Sequence, residues 1–333
     1  MSLDTPAASR PHDRLAQALS GDLARVDALI RERMASDAAP RIPEVTRHLI
    51  DAGGKRIRPM LTLAAARLTG YAGDHHVRLA ATVEFIHTAT LLHDDVVDES
   101  AQRRGRPTAN LLWDNKSSVL VGDYLFARAF QLMTSTGSIR VLDILSDAAA
   151  TIAEGEVLQL TAARNLSTDE ATYLRVVRGK TAALFAAACE VGGVVSGAPE
   201  AQVEGLRAYG DALGIAFQMA DDLLDWEGDE AATGKNVGDD FREGKLTLPL
   251  IRAIAADPDS RPFWDRTLVK GRIGDGDLET ARAAVEGTGA LSSSRDEALH
   301  WSATAKAALA PLPDDPLREV LSDLADYVVA RLA

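Results

Sequence analysis

The stretch Val83-Glu84-Phe85-Ile86-His87-Thr88-Ala89-Thr90-Leu91-Leu92-His93-Asp94-Asp95-Val96-Val97-Asp98-Glu99 decides how this chain is read. It closes an apolar, helically periodic segment that starts near Val77. On a helix, side chains four apart share a face, so Asp94 and Asp98 stand together, with His87 on the same stripe. Like charges at that spacing repel. The basic run Arg103-Arg104-Gly105-Arg106-Pro107 follows and cannot continue a helix. The carboxylates therefore sit at a helix C-terminus, where the dipole disfavours them further. A chain that gathers negative charge there is built to hold a cation. The spacing recurs in Gln218-Met219-Ala220-Asp221-Asp222-Leu223-Leu224-Asp225, again just before a glycine-marked break. Two acidic knots of one spacing, both at helix ends, read as a facing pair of metal clamps.

The rest of the composition suits such a helical frame. The 333 residues are 46% hydrophobic, enough for a large core, and only 5% aromatic. Alanine-rich runs favour close-packed helices. A net charge of −13 argues against a nucleic-acid binder. A single cysteine, Cys189, excludes internal disulfides and cysteine-based zinc clusters and fits a reducing, cytoplasmic location. Cys189 itself, among alanines, reads as packing. The N-terminus lacks the pattern of a signal peptide. The most apolar run, 181–197, carries Glu190 and several glycines and reads as a buried helix rather than a membrane span.

The periodicity predicts helices over about 15–34, 45–52, 58–68, 77–98, 117–133, 139–159, 168–195 and 200–226. A Gly- and Asp-rich loop is expected over 229–244, a short helix over 247–255, and a connector over 257–263. Three more helices are expected over 277–286, 292–309 and 315–332. Period-two alternation is absent, so the expectation is one all-α domain over 1–333, with residues 1–11 disordered.

Basic clusters stand out against the acidic background. Gly53-Gly54-Lys55-Arg56-Ile57-Arg58-Pro59 places three cations after a flexible pair, and Arg103-Arg104-Gly105-Arg106 places three more after the first acidic knot. Lys180-Thr181, Lys235 and Lys245 are single sites. Arginine offers a planar fork suited to phosphate oxygens and lysine a point charge. Carboxylates bind diphosphate only through a cation, and Mg²⁺ is the hard ion that takes carboxylate, phosphate and water oxygens together. The combination implies a diphosphate held between metal ions and guanidinium groups, with room for two such groups. Arg56 and Arg106 are read equally well as surface charge.

With these motifs in order, the chain resembles the trans-prenyltransferases, the all-trans polyprenyl diphosphate synthases. The resemblance rests on Gly53 to Pro59, Phe85-Ile86-His87, Asp94-Asp95-x-x-Asp98, Arg103-Arg104-Gly105-x-Pro107-Thr108, Gly179-Lys180-Thr181, Phe217-Gln218-x-x-Asp221-Asp222-x-x-Asp225, and Gly234-Lys235 through Gly244-Lys245-x-Thr247-Leu248-Pro249. It implies the isoprenoid synthase fold, an antiparallel helical bundle around a deep central cavity. It implies two or three Mg²⁺ ions held by Asp94, Asp98 and Asp221, with Asp95, Asp222 and Asp225 in support. Arg103, Lys180, Thr181, Gln218, Lys235 and Lys245 would hold the allylic diphosphate, and Lys180 is counted with the aspartates as catalytic. Lys55, Arg58, His87 and Arg104 would hold isopentenyl diphosphate. The reaction that the resemblance implies would be ionisation of the allylic C–O bond, attack by the isopentenyl double bond, and loss of a proton. A homodimer through apolar helix faces and contact with a membrane through the product also follow from the resemblance.

In this family, product length follows from side chains just before the first acidic motif. Ala89 and Thr90 are not bulky, and Phe85, one turn deeper, could form a lower stop. An isoprene unit of about 5 Å matches a helix turn of roughly 5.4 Å, so each turn of floor removed admits about one more unit. The run 83–100 resembles the long-chain enzymes of quinone side-chain synthesis, and a decaprenyl product is favoured over octaprenyl or solanesyl. The rivals are a shorter-chain geranylgeranyl or farnesyl diphosphate synthase, a terpene cyclase, which would not need Lys55, Arg58 and Arg104, and a non-catalytic partner subunit. Such subunits lose one or both acidic motifs, and both are complete here.

Overall fold

The computed structural model describes residues 10–51, 53–103, 105–227 and 237–330. The chain is all-α. Its contacts sort it into two compact units, one of residues 1–143, 188–206 and 309–327, the other of residues 144–187, 207–308 and 328–333.

In the first unit, α1 (Pro11–Ala18) and α2 (Ser20–Met34) take the place of the one helix expected over 15–34. The break is at Leu19, whose φ of −105° and ψ of 11° leave the helical region. Pro11 opens α1, where its missing N–H costs nothing, so ordered helix begins within the segment expected to be disordered; residues 1–9 of that segment lie outside the described residues. Next come α3 (Arg41–Asp51), α4 (Ile57–Leu68), α5 (His75–Val97), α6 (Ala109–Leu112) and α7 (Asn115–Thr134). Pro43 lies in the first turn of α3, which tolerates it. Among the described residues, one short antiparallel ribbon, β1 (Gln102–Arg103) against β2 (Arg106–Pro107), pairs Gln102 with Pro107 and Arg103 with Arg106. Two residues a side are too few to show as alternation. In α5, fourteen of the residues are buried, Phe85 and Ala89 among them. Such an all-round apolar helix is a core element. Gly192 lets its helix press on α4: a Cβ there would meet Ala65 Cβ and the Thr62 carbonyl oxygen, each at 2.7 Å. Cys189 is buried, and burial pushes its thiol well up.

In the second unit, the helix expected over 168–195 is interrupted. α9 (Glu170–Val177) passes into a π-helical turn over Arg178–Ala182 before α10 (Ala183–Ser196) resumes. α8 (Ile139–Ala162) approaches that turn through two glycines: a Cβ on Gly155 would lie 2.6 Å from the Lys180 backbone nitrogen. α11 (Glu200–Glu227) packs closely too, since a Cβ on Gly214 would lie 2.6 Å from Ala182 Cα. The expected loop over 229–244 contains a helical turn, α12 (Asp239–Glu243), set between Gly238 (φ 80°) and Gly244 (φ 75°); residues 228–236 lie outside the described residues. α13 (Leu248–Ala256) follows, and the expected connector holds a 3₁₀ turn over Pro258–Ser260 and α14 (Arg261–Trp264). Trp226, Phe241 and Trp264 form a buried aromatic row, with successive ring centroids 6.4 Å apart. The chain closes with α15 (Asp277–Gly287), α16 (Ala290–Ala308) and α17 (Pro316–Ala330). Among the described residues, no helix is long and apolar enough to cross a membrane.

Candidate active site

The first acidic motif ends α5. Asp94 is half-buried, Asp98 is exposed and caps the helix with its N–H bonded to the Asp94 carbonyl at 2.8 Å, and Asp95 is fully buried. The three carboxylates therefore differ in kind. Asp95 Oδ1 accepts from Arg103 Nε at 2.8 Å and forms an ion pair with Nη2 at the same distance. Burial raises the Asp95 pKa; the Arg103 guanidinium opposes this and the Asp98 charge adds to it. The ribbon holds Arg103 in reach, and Thr108 Oγ1 braces the same loop by donating to the Ser100 carbonyl at 2.7 Å.

Asp95 forms part of the wall of a cavity in the first unit, lined also by His48, Arg56, Glu84, His87 and Arg103 among others. His87 Nε2 is 3.2 Å from Arg58 Nη1, so two residues expected to share one ligand do meet. Lys55 is exposed beside them in sequence, but neither Lys55 nor Arg58 lines the cavity wall. Arg104 falls outside the described residues. Arg56, left undecided by the sequence, has a side chain only 21% exposed and pairs with Glu84. Glu84 and His48 were not anticipated; a glutamate one turn before His87 in an apolar helix is the signal that was available. His93 is a packing residue, stacked on Phe126 at 6.0 Å and held at 3.2 Å from the Val119 carbonyl. Ala89 and Phe85 are buried, and Thr90 Oγ1 donates to the His87 carbonyl at 2.8 Å.

The second acidic motif, in the second unit, is a hydrogen-bonded chain. Thr181 Oγ1 donates to Gln218 Oε1 at 2.7 Å, Gln218 Nε2 donates to Asp222 Oδ1 at 2.8 Å, and Tyr173 OH donates to Asp222 Oδ2 at 2.6 Å. Asp222 is buried, and burial pushes its pKa up to about 6, with Tyr173 and Gln218 opposing and Asp221 and Asp225 adding. Asp225 accepts from the backbone N–H groups of Asp239 at 3.1 Å and Asp240 at 3.2 Å. Asp221 is half-buried. Lys180 Nζ lies 2.9 Å from Glu156 Oε2, and Lys245 Nζ lies 2.5 Å from Glu243 Oε2. Lys235 falls outside the described residues. The π-helical turn that carries Lys180 and Thr181 is of the kind that recurs at functional sites. Tyr173, Glu156 and Asp240 escaped the sequence reading. The Asp239-Asp240 pair between Lys235 and Lys245 was a legible hint; Tyr173 gave none. Burial, with the charges of Asp222 and Asp225, raises the Asp240 pKa well above the usual range.

Among the described residues, no three His, Cys, Asp or Glu side chains converge on one point suited to a metal ion. The donor set itself is carboxylate oxygen at both motifs, with no thiolate or imidazole among the candidates, and it fits a hard divalent cation.

The family model described as polyprenyl synthetase matches residues 39–285. A crystal structure of a decaprenyl diphosphate synthase from Rhodobacter capsulatus is 70% identical, with a TM-score of 0.94 over 97% of this chain and 100% of that one. A polyprenyl synthase from Caulobacter crescentus CB15, complexed with calcium and isoprenyl diphosphate, is 52% identical, with a TM-score of 0.92 over 98% and 100%. Octaprenyl diphosphate synthase of Escherichia coli K12 is 46% identical over 319 residues, 96% of this chain and 98% of that protein. The fold is the all-helical isoprenoid synthase fold of these structures. The chain belongs to the polyprenyl synthetase family and is a prenyltransferase, a polyprenyl diphosphate synthase similar to the long-chain members.

Proposed function

We propose that the chain condenses isopentenyl diphosphate head to tail onto an allylic diphosphate and extends it to a decaprenyl product, with octaprenyl and solanesyl as the alternative lengths. The observation that carries this reading is the cavity whose wall brings His87, Arg56 and Arg103 together with Asp95 of a complete acidic motif. Support for the ten-unit length comes from the 70% identity to a decaprenyl diphosphate synthase and from the small side chain of Ala89.

Asp94, Asp98 and Asp221 would hold two or three Mg²⁺ ions, which supply electrostatic stabilisation of the departing diphosphate. Asp95 keeps Arg103 in place, and Asp222 keeps Gln218 oriented through the bond from its amide. Arg103, Lys180, Thr181, Gln218, Lys235 and Lys245 would grip the allylic diphosphate. Lys55, Arg58, His87 and Arg104 would grip the isopentenyl diphosphate, with the Arg58–His87 contact setting two of the donors side by side. The isopentenyl double bond then attacks the allylic carbon, and the proton lost from the new chain passes to the released diphosphate.

The two units are read as one synthase domain, because the family match at 39–285 runs through segments of both. A homodimer is read from the exposed apolar side chains on α6 and α7, where Leu111, Leu112, Leu120 and Phe130 are 43–66% exposed. The protein is placed in the cytoplasm, meeting a membrane through its lipid product, and its product is assigned to the ubiquinone side chain. Incubation with labelled isopentenyl diphosphate, farnesyl diphosphate and Mg²⁺, followed by sizing of the lipid, tests the reading. A chain of about ten units fits it, a C15 or C20 product would support a shorter-chain synthase, and no diphosphate release would support a non-catalytic subunit.

A further inference from the structure

Arg56 lies between Lys55 and Arg58, the two cations assigned above to isopentenyl diphosphate, and its backbone is left-handed, at φ 50° and ψ 31°. A residue with a side chain rarely adopts that region and holds it only when its surroundings insist. The surroundings here are on other helices. Arg56 Nη1 is bonded to Glu84 Oε1, and Arg56 Nη2 lies 3.8 Å from Asp27 Oδ1. Glu84 is 9% exposed and stands in the cavity wall on α5, one helical turn before His87. Arg58, two residues beyond Arg56, reaches Nε2 of that same His87. Two successive cross-links, Arg56 to Glu84 and Arg58 to His87, therefore fasten the 53–56 segment and the first turn of α4 to α5. On the other side of Arg56 the segment begins with Gly53, at φ 77°, and Gly54, which restrain it little.

A carboxylate in a cavity that takes a diphosphate opposes its ligand unless the charge is neutralised. Glu84 is neutralised by Arg56, so the pair adds little net charge, and its contribution is geometric. We propose that Glu84 and Arg56 are positioning residues, which hold the basic segment so that Lys55 and Arg58 present their donors to isopentenyl diphosphate. This rests on the assignment of Lys55 and Arg58 to isopentenyl diphosphate given above.

Steady-state kinetics on the full chain, with farnesyl diphosphate and Mg²⁺, test the role. Glu84→Gln is expected to raise KM for isopentenyl diphosphate by about ten- to a hundredfold, the scale of a misplaced binding group. KM for the allylic substrate should stay within about twofold, because the lost interaction serves only one subsite. Arg56→Gln should match it, and the double variant should be no worse than either single, because both remove one interaction. Equal changes in both KM values, a fall in kcat alone, or additive effects in the double variant would overturn the proposal. Should Glu84→Gln fail to fold, Arg56→Lys, which keeps the charge and loses the fork, reads the same KM. Lys55→Ala and Arg58→Ala separate the two levels. If they leave KM for isopentenyl diphosphate unchanged, the assignment of Lys55 and Arg58 to that substrate itself fails. If they raise it while Glu84→Gln does not, the positioning role fails and the assignment stands.

Discussion

Gly155 and Gly179 meet backbone to backbone: a Cβ on Gly179 would lie 2.8 Å from Gly155 Cα and 3.1 Å from the Thr151 carbonyl oxygen. No flexible side-chain end is available to move aside. The contact brings α8 against the π-helical turn and sets Lys180 beside Glu156. Gly179→Ala is therefore expected to cost about 1–3 kcal/mol by overpacking and to lower turnover through Lys180. Gly21→Ala, in the first turn of α2 with nothing within 4 Å of its Cβ, is the control and should be neutral or stabilising. Denaturant unfolding of both variants decides the point; equal stability would mean that α8 yields.

The aspartates of the first motif should separate by phenotype. Asp94→Asn and Asp98→Asn are expected to leave thermal stability intact and to reduce turnover by about a hundred- to a thousandfold, the scale of a lost electrostatic contact in the transition state. Asp95→Asn should instead destabilise the fold by about 2 kcal/mol, below the range for a fully enclosed pair because Arg103 is 30% exposed. Thermal melts beside initial rates measure this. Asp95→Asn with full stability would refute the division of labour.

Acid should weaken the second unit through Asp277. Its carboxylate accepts from Arg266 Nη1 and Nη2 at 2.7 and 2.8 Å and from the Gly274 N–H at 2.7 Å. Arg266 first, then the Gly274 bond, lowers its pKa to about 2. A depressed carboxylate stabilises the fold above its unfolded value, near 4, and that stabilisation is lost as pH falls toward about 2. Asp277→Asn should reduce stability at neutral pH and flatten the acid limb of the stability–pH curve between those values. A parallel curve would show that the pair contributes nothing.

Replacing Ala89 with Phe tests the floor. Ala89 is fully buried on α5, one turn from buried Phe85. The expected product is shorter by several isoprene units at unchanged diphosphate affinity, read by chromatography of the dephosphorylated lipid. An unchanged product distribution would move the floor elsewhere.

Charge on α7 tests the proposed dimer. Leu120 is 66% exposed and Phe130 43%. Leu120→Glu combined with Phe130→Glu should convert a dimeric species to a monomeric one in size-exclusion chromatography with light scattering. An unaltered dimer would place the interface on another face.

Helix positions were legible because local periodicity sets them. What escaped depends on partners far away in the chain. The π-helical turn at Arg178–Ala182 adjoins a glycine contact from Gly155, and no run of residues 168–195 records that approach. The same holds for charges: 103–106 advertises cations, yet only folding shows that Arg103 serves Asp95 within the protein, while Arg56 answers Glu84, 28 positions on. Tyr173 was invisible because its partner Asp222 lies 49 positions away. The acidic motifs themselves could be read directly, since four-residue spacing on one helix needs no tertiary knowledge.

The enclosed thiol of Cys189 has a practical consequence. A reagent that alkylates exposed sulfur will pass this protein by. Engineered cysteines at two surface sites would then carry spin labels or fluorophores without removal of the native one.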